Sequence, residues 1–295
     1  MQKDVLDHGF VRLVDHMPQQ DLDTSIVQAA RVSYGDGTKT SRGDRGLLRY
    51  LLRHWHTTPF EMVEFKFHIK MPLYIARQHF RHRTASVNEL SARYSVVPKQ
   101  YYNPGILRGQ SQVNNQGSEG VVEIDEEKTR QIDEHLEHSF DLYENLLETG
   151  VCREQARGNL PQCTYTEFYW KINLHNLMHY LHLRMDDHAQ KEIRDYANAI
   201  YDLVEPLAPI TMEAFRDFRV NAMHLTGPEI EALATGKEID SPGERREFEE
   251  KLKRLKIKCP YNTTRRQCSQ SLHPPHGLPK QTILRKLERR SKNRE

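Results

Sequence analysis

The chain has 295 residues, of which 37% are hydrophobic and 28% are charged. This length suffices for one large domain or two smaller ones with buried cores. No segment approaches the roughly 18 apolar residues of a membrane span, and the N-terminus lacks the apolar run of a secretory signal. The four cysteines form no C-x-x-C pair, so we expect no disulfide framework and a reducing, cytoplasmic location.

The net charge of +2 conceals two chemically different parts of the chain. Residues 241–295 contain 16 Lys and Arg against 6 Asp and Glu, whereas the remaining 240 residues contain 27 against 35. We therefore predict a main domain over residues 1–220 and a basic tail over 221–295. Two segments of the tail, 244–256 and 281–290, are predicted to be helical. We expect the tail to be partly helical or disordered, without a core of its own.

The first part of the chain alternates short strands and helices. Residues 10–14 are predicted as a strand, and a helix follows the Asp23-Thr24 pair. Leucines at helical spacing predict a helix over residues 47–52. Apolar and polar residues alternate from Val63 to Ile69, which is typical of a strand with one buried face, and Pro72 suits the first turn of the next helix.

The rest of the chain is predicted to be mainly helical. We predict a polar connection at residues 84–89, a strand at 93–97 and an exposed polar loop at about 103–120. The predicted helices cover residues 124–148, 153–159, 165–184, 189–204 and 210–220. Within the helix at 165–184, Asn173 and Arg184 are eleven residues apart and should share a face.

The stretch from Ala76 to Tyr94 carries the densest group of polar candidates. Its four arginines, Arg77, Arg81, Arg83 and Arg93, are interleaved with His, Gln, Asn, Ser and Glu. Arginine presents a planar fork of donors that fits phosphate, and clustered guanidinium groups repel one another unless anions lie between them. The stretch therefore indicates a site for a phosphorylated ligand with a polar ring. A solvated basic face is the alternative.

The same stretch resembles a known family. Arg81-His82-Arg83, followed by seven residues and then Ser91, is similar to the RHR-x7-S signature of the flavin-dependent thymidylate synthases. The likeness extends from about Asp4 to Phe218. It implies an α+β fold, with a twisted, mostly antiparallel sheet flanked by helices, a long helical C-terminal half and a homotetrameric assembly whose sites are shared between subunits.

The resemblance also implies an activity and its participants. These enzymes methylate dUMP to dTMP with 5,10-methylenetetrahydrofolate as carbon donor, while NAD(P)H reduces bound FAD, which supplies the hydride. Residues that resemble the dUMP site are Gln78, His79, Phe80, Arg81, Glu89, Leu90, Ser91, Ala92, Arg93, Arg157 and Arg184. Residues that resemble FAD contacts are Thr58, Arg81, His82, Arg83, Glu89, Asn173, Leu174, His175 and His179. Arg184 resembles the residue that stabilises the ionised uracil and would be catalytic.

Three other interpretations of the residues remain open. The histidines at 175, 179 and 182 could bind a metal ion, although organic-ligand contacts suit their spacing better, and we predict no metal. Cys163 could be a nucleophile, as in cysteine-dependent thymidylate synthases, if Arg157 lowered its pKa; a buried packing role is the alternative. The basic tail could bind nucleic acid, although it has few interleaved aromatic residues.

Overall fold

The computed structural model describes residues 1–33, 44–111 and 117–260. The chain divides into two compact units, Met1–Ala222 and Met223–Glu295. The elements of the first unit are β1 (Gln2–Val5), β2 (Gly9–Met17), α1 (Leu22–Arg31), α2 (Asp44–Arg53), α3 (Thr58–Glu61), β3 (Glu64–Pro72), α4 (Leu73–His79), β4 (Ser86–Glu89), β5 (Leu107–Gln110), β6 (Ser118–Val122), α5 (Glu126–Glu148), α6 (Arg153–Ala156), β7 (Tyr165–Asn173), α7 (Leu174–Arg184), α8 (Lys191–Val204) and α9 (Pro209–Phe215). This arrangement confirms the predicted α+β class.

A five-stranded sheet lies at the centre of the first unit. Its strand order is β1-β2-β3-β7-β4, and each neighbouring pair is antiparallel. The predicted alternation on β3 is confirmed, since Phe65, Phe67 and Ile69 are buried in the main core. The central pair, β3 and β7, places Phe67 opposite Trp170. Large apolar side chains from both strands therefore cover one face of the sheet.

The prediction of one helix over residues 165–184 is wrong, because its first nine residues form β7. On β7 the side chains of Phe168, Trp170 and Ile172 are buried, which is the period-two pattern of a strand. Phe168 and Ile172 are also four residues apart, a spacing that equally suits a helix. The helix α7 begins only at Leu174, after the Asn173 side chain accepts a hydrogen bond from the Asn176 amide at 2.9 Å.

Helices α4 and α7 return across the same face of the β3–β7 pair from opposite ends. β3 ends at Pro72, opposite the first residue of β7, and β7 ends at Asn173, opposite the first residue of β3. Each strand is followed directly by its helix, α4 or α7. The helices meet over Trp170, whose ring centroid lies 4.3 Å from that of His79 on α4 and 5.1 Å from that of Tyr180 on α7. This crossing positions the candidate site.

Helix α8 approaches the sheet closely at Gly9. A Cβ atom there would lie 2.0 Å from the Tyr196 hydroxyl oxygen, so only glycine fits. The Tyr196 hydroxyl donates to the Lys70 carbonyl at 2.7 Å and so ties α8 to β3. Within the described ranges, no helix is long and apolar enough to span a bilayer.

Three predictions for residues 84–120 are corrected by the structure. The polar connection at 84–89 contains β4, which pairs with β7 at the edge of the sheet. Residues 93–97 form a turn and irregular chain instead of a strand. The predicted loop at 103–120 contains the hairpin β5–β6, although residues 112–116 lie outside the described part. The long helix predicted at 124–148 is confirmed as α5.

The second unit contains α10 (Gly227–Thr235) and α11 (Pro242–Leu255), and α11 confirms the helix predicted at 244–256. The expectation that the tail lacks a core is wrong for residues 223–260. A small core is formed there by Ala232, Ile239, Phe248 and Leu252. These four apolar residues are spread over 21 positions, so no compact apolar run marks them in the sequence. The helix predicted at 281–290 lies outside the described residues.

Candidate functional site

A polar cleft opens where the end of α4 meets α7. We call it the α4–α7 cleft, and its volume is about 510 Å³. It is lined by Arg81, His82, Arg83, Thr84, Ile172, Asn176, His179, Leu183 and Arg184. The chain leaves α4 after His79 and carries the Arg-His-Arg sequence past the C-terminal end of α7. The crossing of the two helices therefore joins the signature to residues about a hundred positions later.

Arg184, the predicted catalytic residue, is held by two hydrogen bonds. Its Nε donates to His82 Nε2 at 3.0 Å, and its Nη2 donates to the Gln78 carbonyl at 3.3 Å. Neither bond uses Nη1, so the guanidinium has a fixed orientation and a further nitrogen for a ligand. A cation held in place before the reaction can stabilise developing negative charge without reorganising.

His82 accepts the hydrogen bond from Arg184 because its imidazole is neutral. Burial lowers the pKa of His82 to about 4, and the positive charge of Arg184 and the neighbouring His179 act in the same direction. An imidazolium would have no lone pair to offer to the guanidinium. The signature histidine therefore orients Arg184 and adds no charge of its own at neutral pH.

Two predicted site residues lie inside the core. The imidazole of His79 is fully buried, and its Nδ1 is 3.1 Å from the Tyr180 hydroxyl. Burial lowers the pKa of His79 to about 3, so this ring is also neutral. Leu174 is likewise buried, and its amide donates to the Val63 carbonyl at 2.8 Å. The structure presents neither side chain at the surface of the chain.

A second group of predicted residues begins at Glu89, the last residue of β4, and continues beyond it. Glu89 accepts a hydrogen bond from the Thr166 hydroxyl at 2.7 Å, and Arg93 forms an ion pair with Glu154 at 3.7 Å. Arg157 follows α6, three residues after Glu154. The four residues of β4 extend over about 13 Å, so they separate this group from the α4–α7 cleft. Leu90, Ser91 and Ala92 continue the chain between Glu89 and Arg93.

The remaining predicted residues lie around the first turns of α7 and α3. Asn173 caps α7, and His175 lines a small pocket of about 90 Å³ together with His179. His179 also lines the α4–α7 cleft, so it connects the two cavities. Thr58, the first residue of α3, lines a separate groove that also contains Ser33. The FAD candidates therefore form a band of residues instead of one compact cluster.

A stacked pair that was not among the predicted site residues lines the small pocket. The guanidinium of Arg219 lies 3.5 Å from the centroid of the Trp55 ring, and it also donates to the Leu52 carbonyl. Trp55 has a positive φ of 62°, a backbone conformation that residues other than glycine rarely adopt. The flanking histidines, His54 and His56, make a His-Trp-His run that could have drawn attention to this position.

The metal and cysteine interpretations gain no geometric support. Across residues 1–33, 44–111 and 117–260, no three His, Cys, Asp or Glu side chains are grouped to hold a metal ion. Cys163 is partly buried, and burial raises the pKa of its thiol. A raised pKa is the opposite of what an attacking thiolate requires. The condition for a nucleophilic role, a pKa lowered by Arg157, is therefore not met, and the alternative of a packing role fits better.

Comparison with known proteins identifies sequences similar to most of this chain. The family model of the thymidylate synthase complementing protein matches residues 12–210. A flavin-dependent thymidylate synthase from Dictyostelium discoideum is 54% identical over 264 residues, covering 85% of this chain and 86% of that protein. One from Thermus thermophilus is 52% identical over 229 residues, covering 78% of this chain and 83% of that protein.

A solved structure with the same fold is also similar. The UMP/dUMP methylase PolB from Streptomyces cacaoi, bound with 5-Br dUMP, superposes with a TM-score of 0.66 at 33% identity. The match covers 74% of this chain and 98% of that one. With both the family model and relatives at about half identity, the chain belongs to the flavin-dependent thymidylate synthase family.

Proposed function

We propose that this protein converts dUMP to dTMP by flavin-dependent reductive methylation. In this proposal 5,10-methylenetetrahydrofolate supplies the carbon, NAD(P)H supplies the electrons, and FAD carries the hydride. The observation that carries the proposal is the fixed Arg184 guanidinium, which is hydrogen-bonded to the neutral His82 in an open polar cleft. Family membership supports the same reaction class.

The side chains of the cleft fit a flavin dinucleotide. Arg81 and Arg83 are both exposed at the cleft, one on each side of His82, and two guanidinium groups can pair with a pyrophosphate. Asn176 and His179 add groups that can contact the polar edge of a ring. Bound there, FAD would accept electrons from NAD(P)H and return them as a hydride. Arg81, Arg83, Asn176 and His179 are the residues that would hold it.

Arg184 is the residue that we propose for chemistry on the nucleotide. Its charge would stabilise a uracil ring that has lost the N3 proton, which raises the electron density at C5. The hydrogen bonds to His82 and to the Gln78 carbonyl prevent the guanidinium from turning away from the ligand. No covalent nucleophile from the protein is needed in this scheme, which agrees with the raised pKa of Cys163.

We further propose that Ser91, Arg93 and Arg157 contact the phosphate of dUMP in a homotetramer whose subunits share their sites. The separation of about 13 Å along β4 supports this view, because it leaves two incomplete groups of polar residues in a single chain. The exposed edge strand β4 offers a surface for a neighbouring subunit. A cytoplasmic location is part of the same proposal, since the folate and nicotinamide co-substrates would be available there.

The visible absorption spectrum of the purified protein is the first test. We expect a flavin band that bleaches on addition of NADPH with dUMP present, and dTMP that forms only when methylenetetrahydrofolate is added. A colourless protein that does not take up added FAD would refute the proposal.

Substitution of Arg184 tests the assigned role. Arg184→Ala should keep bound flavin but lose about 100-fold or more in kcat, the usual effect of removing one preorganised stabilising group. The matched control is Arg130→Ala, which removes an exposed arginine of α5 that pairs with Glu127 and Glu134. Retained turnover in Arg184→Ala would assign the chemistry to another residue.

A further inference from the structure

A chain of polar side chains connects the candidate nucleotide site to a buried carboxylate. Gln78 Nε2, at the end of α4, donates to Gln190 Oε1. Gln190 Nε2 then donates to Glu192 Oε2 at 2.8 Å. The other carboxylate oxygen of Glu192 accepts from Arg108 on the hairpin β5–β6 at 2.6 Å. We call Gln78, Gln190 and Glu192 the amide relay.

The direction of every bond in the amide relay follows from the charge of Glu192. Its side chain is only 2% exposed, and Arg108 compensates its charge. Burial alone would raise the pKa of Glu192, but the hydrogen bonds from Arg108 and Gln190 hold it below its usual range. An ionised carboxylate accepts hydrogen bonds and cannot donate them. Gln190 must therefore turn its NH2 group toward Glu192 and its carbonyl oxygen toward Gln78.

This orientation is passed on to Gln78. Because Gln190 offers it only an acceptor, Gln78 must turn its NH2 group toward Gln190, which leaves Oε1 on the other side of the amide. The backbone carbonyl of the same residue accepts from Arg184. Gln78, Arg184 and Gln190 also line one cavity of about 560 Å³ next to the α4–α7 cleft. Gln78 is therefore fixed through both its side chain and its backbone at the place where a nucleotide would bind.

We propose that Gln190 and Glu192 are positioning residues that hold the Gln78 amide in one orientation, with Oε1 presented as an acceptor to an N–H or O–H group of the bound pyrimidine nucleotide. The inference rests on the proposed binding of dUMP, and it adds two residues that do not touch the ligand themselves. A glutamine without this relay could turn over and present its NH2 group to the same ligand atom at similar cost.

The relay can be broken at Glu192 and then rebuilt by exchanging the residues at 190 and 192. Glu192→Gln removes the charge that sets the direction, so that the amides at 78 and 190 can turn over. The double variant Gln190→Glu/Glu192→Gln puts a carboxylate next to Gln78, which again offers it only an acceptor, while the amide at 192 can still accept from Arg108. The double variant does not restore the ion pair between Arg108 and Glu192, so a purely structural role of that ion pair would not be rescued.

The measurement is the affinity of the flavin-loaded enzyme for dUMP, together with KM and kcat. We expect Glu192→Gln to raise Kd and KM for dUMP about fivefold to tenfold with kcat changed less than about twofold, and the double variant to recover affinity to within about twofold. The control Glu205→Gln removes the ion pair to Arg216 beyond the other end of α8 and should leave dUMP affinity unchanged.

The outcomes separate this inference from the proposed function. If the wild-type enzyme does not bind dUMP, the proposed function fails. If the wild type binds dUMP and folded, flavin-loaded Glu192→Gln binds it equally well, the relay alone is refuted. A double variant that stays as weak as the single variant also refutes it, since that result would assign the loss to the ion pair.

Discussion

The buried imidazole of His79 should make the stability of this protein depend on pH. The ring is fully buried against Trp170 and Tyr180, and its pKa is lowered from 6.5 to about 3, mainly by burial. In the unfolded chain the same histidine binds a proton below about pH 6.5. Between these two values the unfolded state holds more protons than the folded state, so stability falls as the pH falls. The contribution is fully present above pH 6.5 and is lost progressively toward pH 3.

The size of the effect follows from the distance between the pH and the ordinary pKa. A pH of 5 is about 1.5 units below the ordinary histidine pKa of about 6.5. At this pH, protonation of His79 stabilises the unfolded state by about 2 kcal/mol, whereas the folded state gains almost nothing because its imidazole stays neutral. This is a large fraction of the roughly 5–15 kcal/mol by which native proteins are stable. It should therefore be visible against the smaller contributions of exposed groups.

Urea unfolding at pH 7.5 and pH 5, with protein and flavin concentrations held constant, measures this contribution. We expect the wild type to lose about 2 kcal/mol more than His79→Leu over this interval, because leucine is similar in size and binds no proton. The control His135→Leu replaces an exposed histidine of α5 and should show the pH dependence of the wild type. Equal losses in the wild type and in His79→Leu would refute the reasoning.

Asp23→Ala should lower the free energy of unfolding by about 2 to 3 kcal/mol. The reason is that the Asp23 carboxylate accepts hydrogen bonds from the Ile210 and Thr211 amides and from the Thr211 hydroxyl. Urea unfolding of this variant, compared with that of the wild type and of Asp23→Asn, measures the loss. Cys163→Ser should keep kcat within about twofold, since the thiol is not activated, and a covalent nucleotide adduct seen by mass spectrometry in the wild type would contradict this. Removal of residues 223–295 should keep kcat/KM for dUMP within about threefold, because Met1–Ala222 forms its own compact unit. A folded, flavin-loaded but inactive truncation would assign the tail to the site.

From the residues alone, only those parts of the site that lie close together in the chain could be grouped. The signature residues Arg81, His82 and Arg83 are adjacent in the chain, so their grouping needed no fold. His82 and Arg184 are 102 positions apart, and only the family resemblance places both in one site before the structure shows their contact. The amide relay has no signal in the sequence. Glutamine and glutamate at 190 and 192 are typical of an ordinary helix start, and their role depends on Arg108, which lies in a segment that the sequence predicts as a loop.

The incorrect prediction of a helix where β7 lies explains why the geometry of the site could not be derived from the sequence. If residues 165–184 formed one helix, β3 would lack its partner on one side, and nothing would bring α4 near Arg184. When β7 is a strand paired with β3, the helices that follow the two strands must start at opposite ends of the pair and cross over it. Since Trp170 packs against both His79 and Tyr180, the crossing point is fixed by the buried side chains of β7. The assignment of one nine-residue segment therefore decides both the sheet and the position of the cleft.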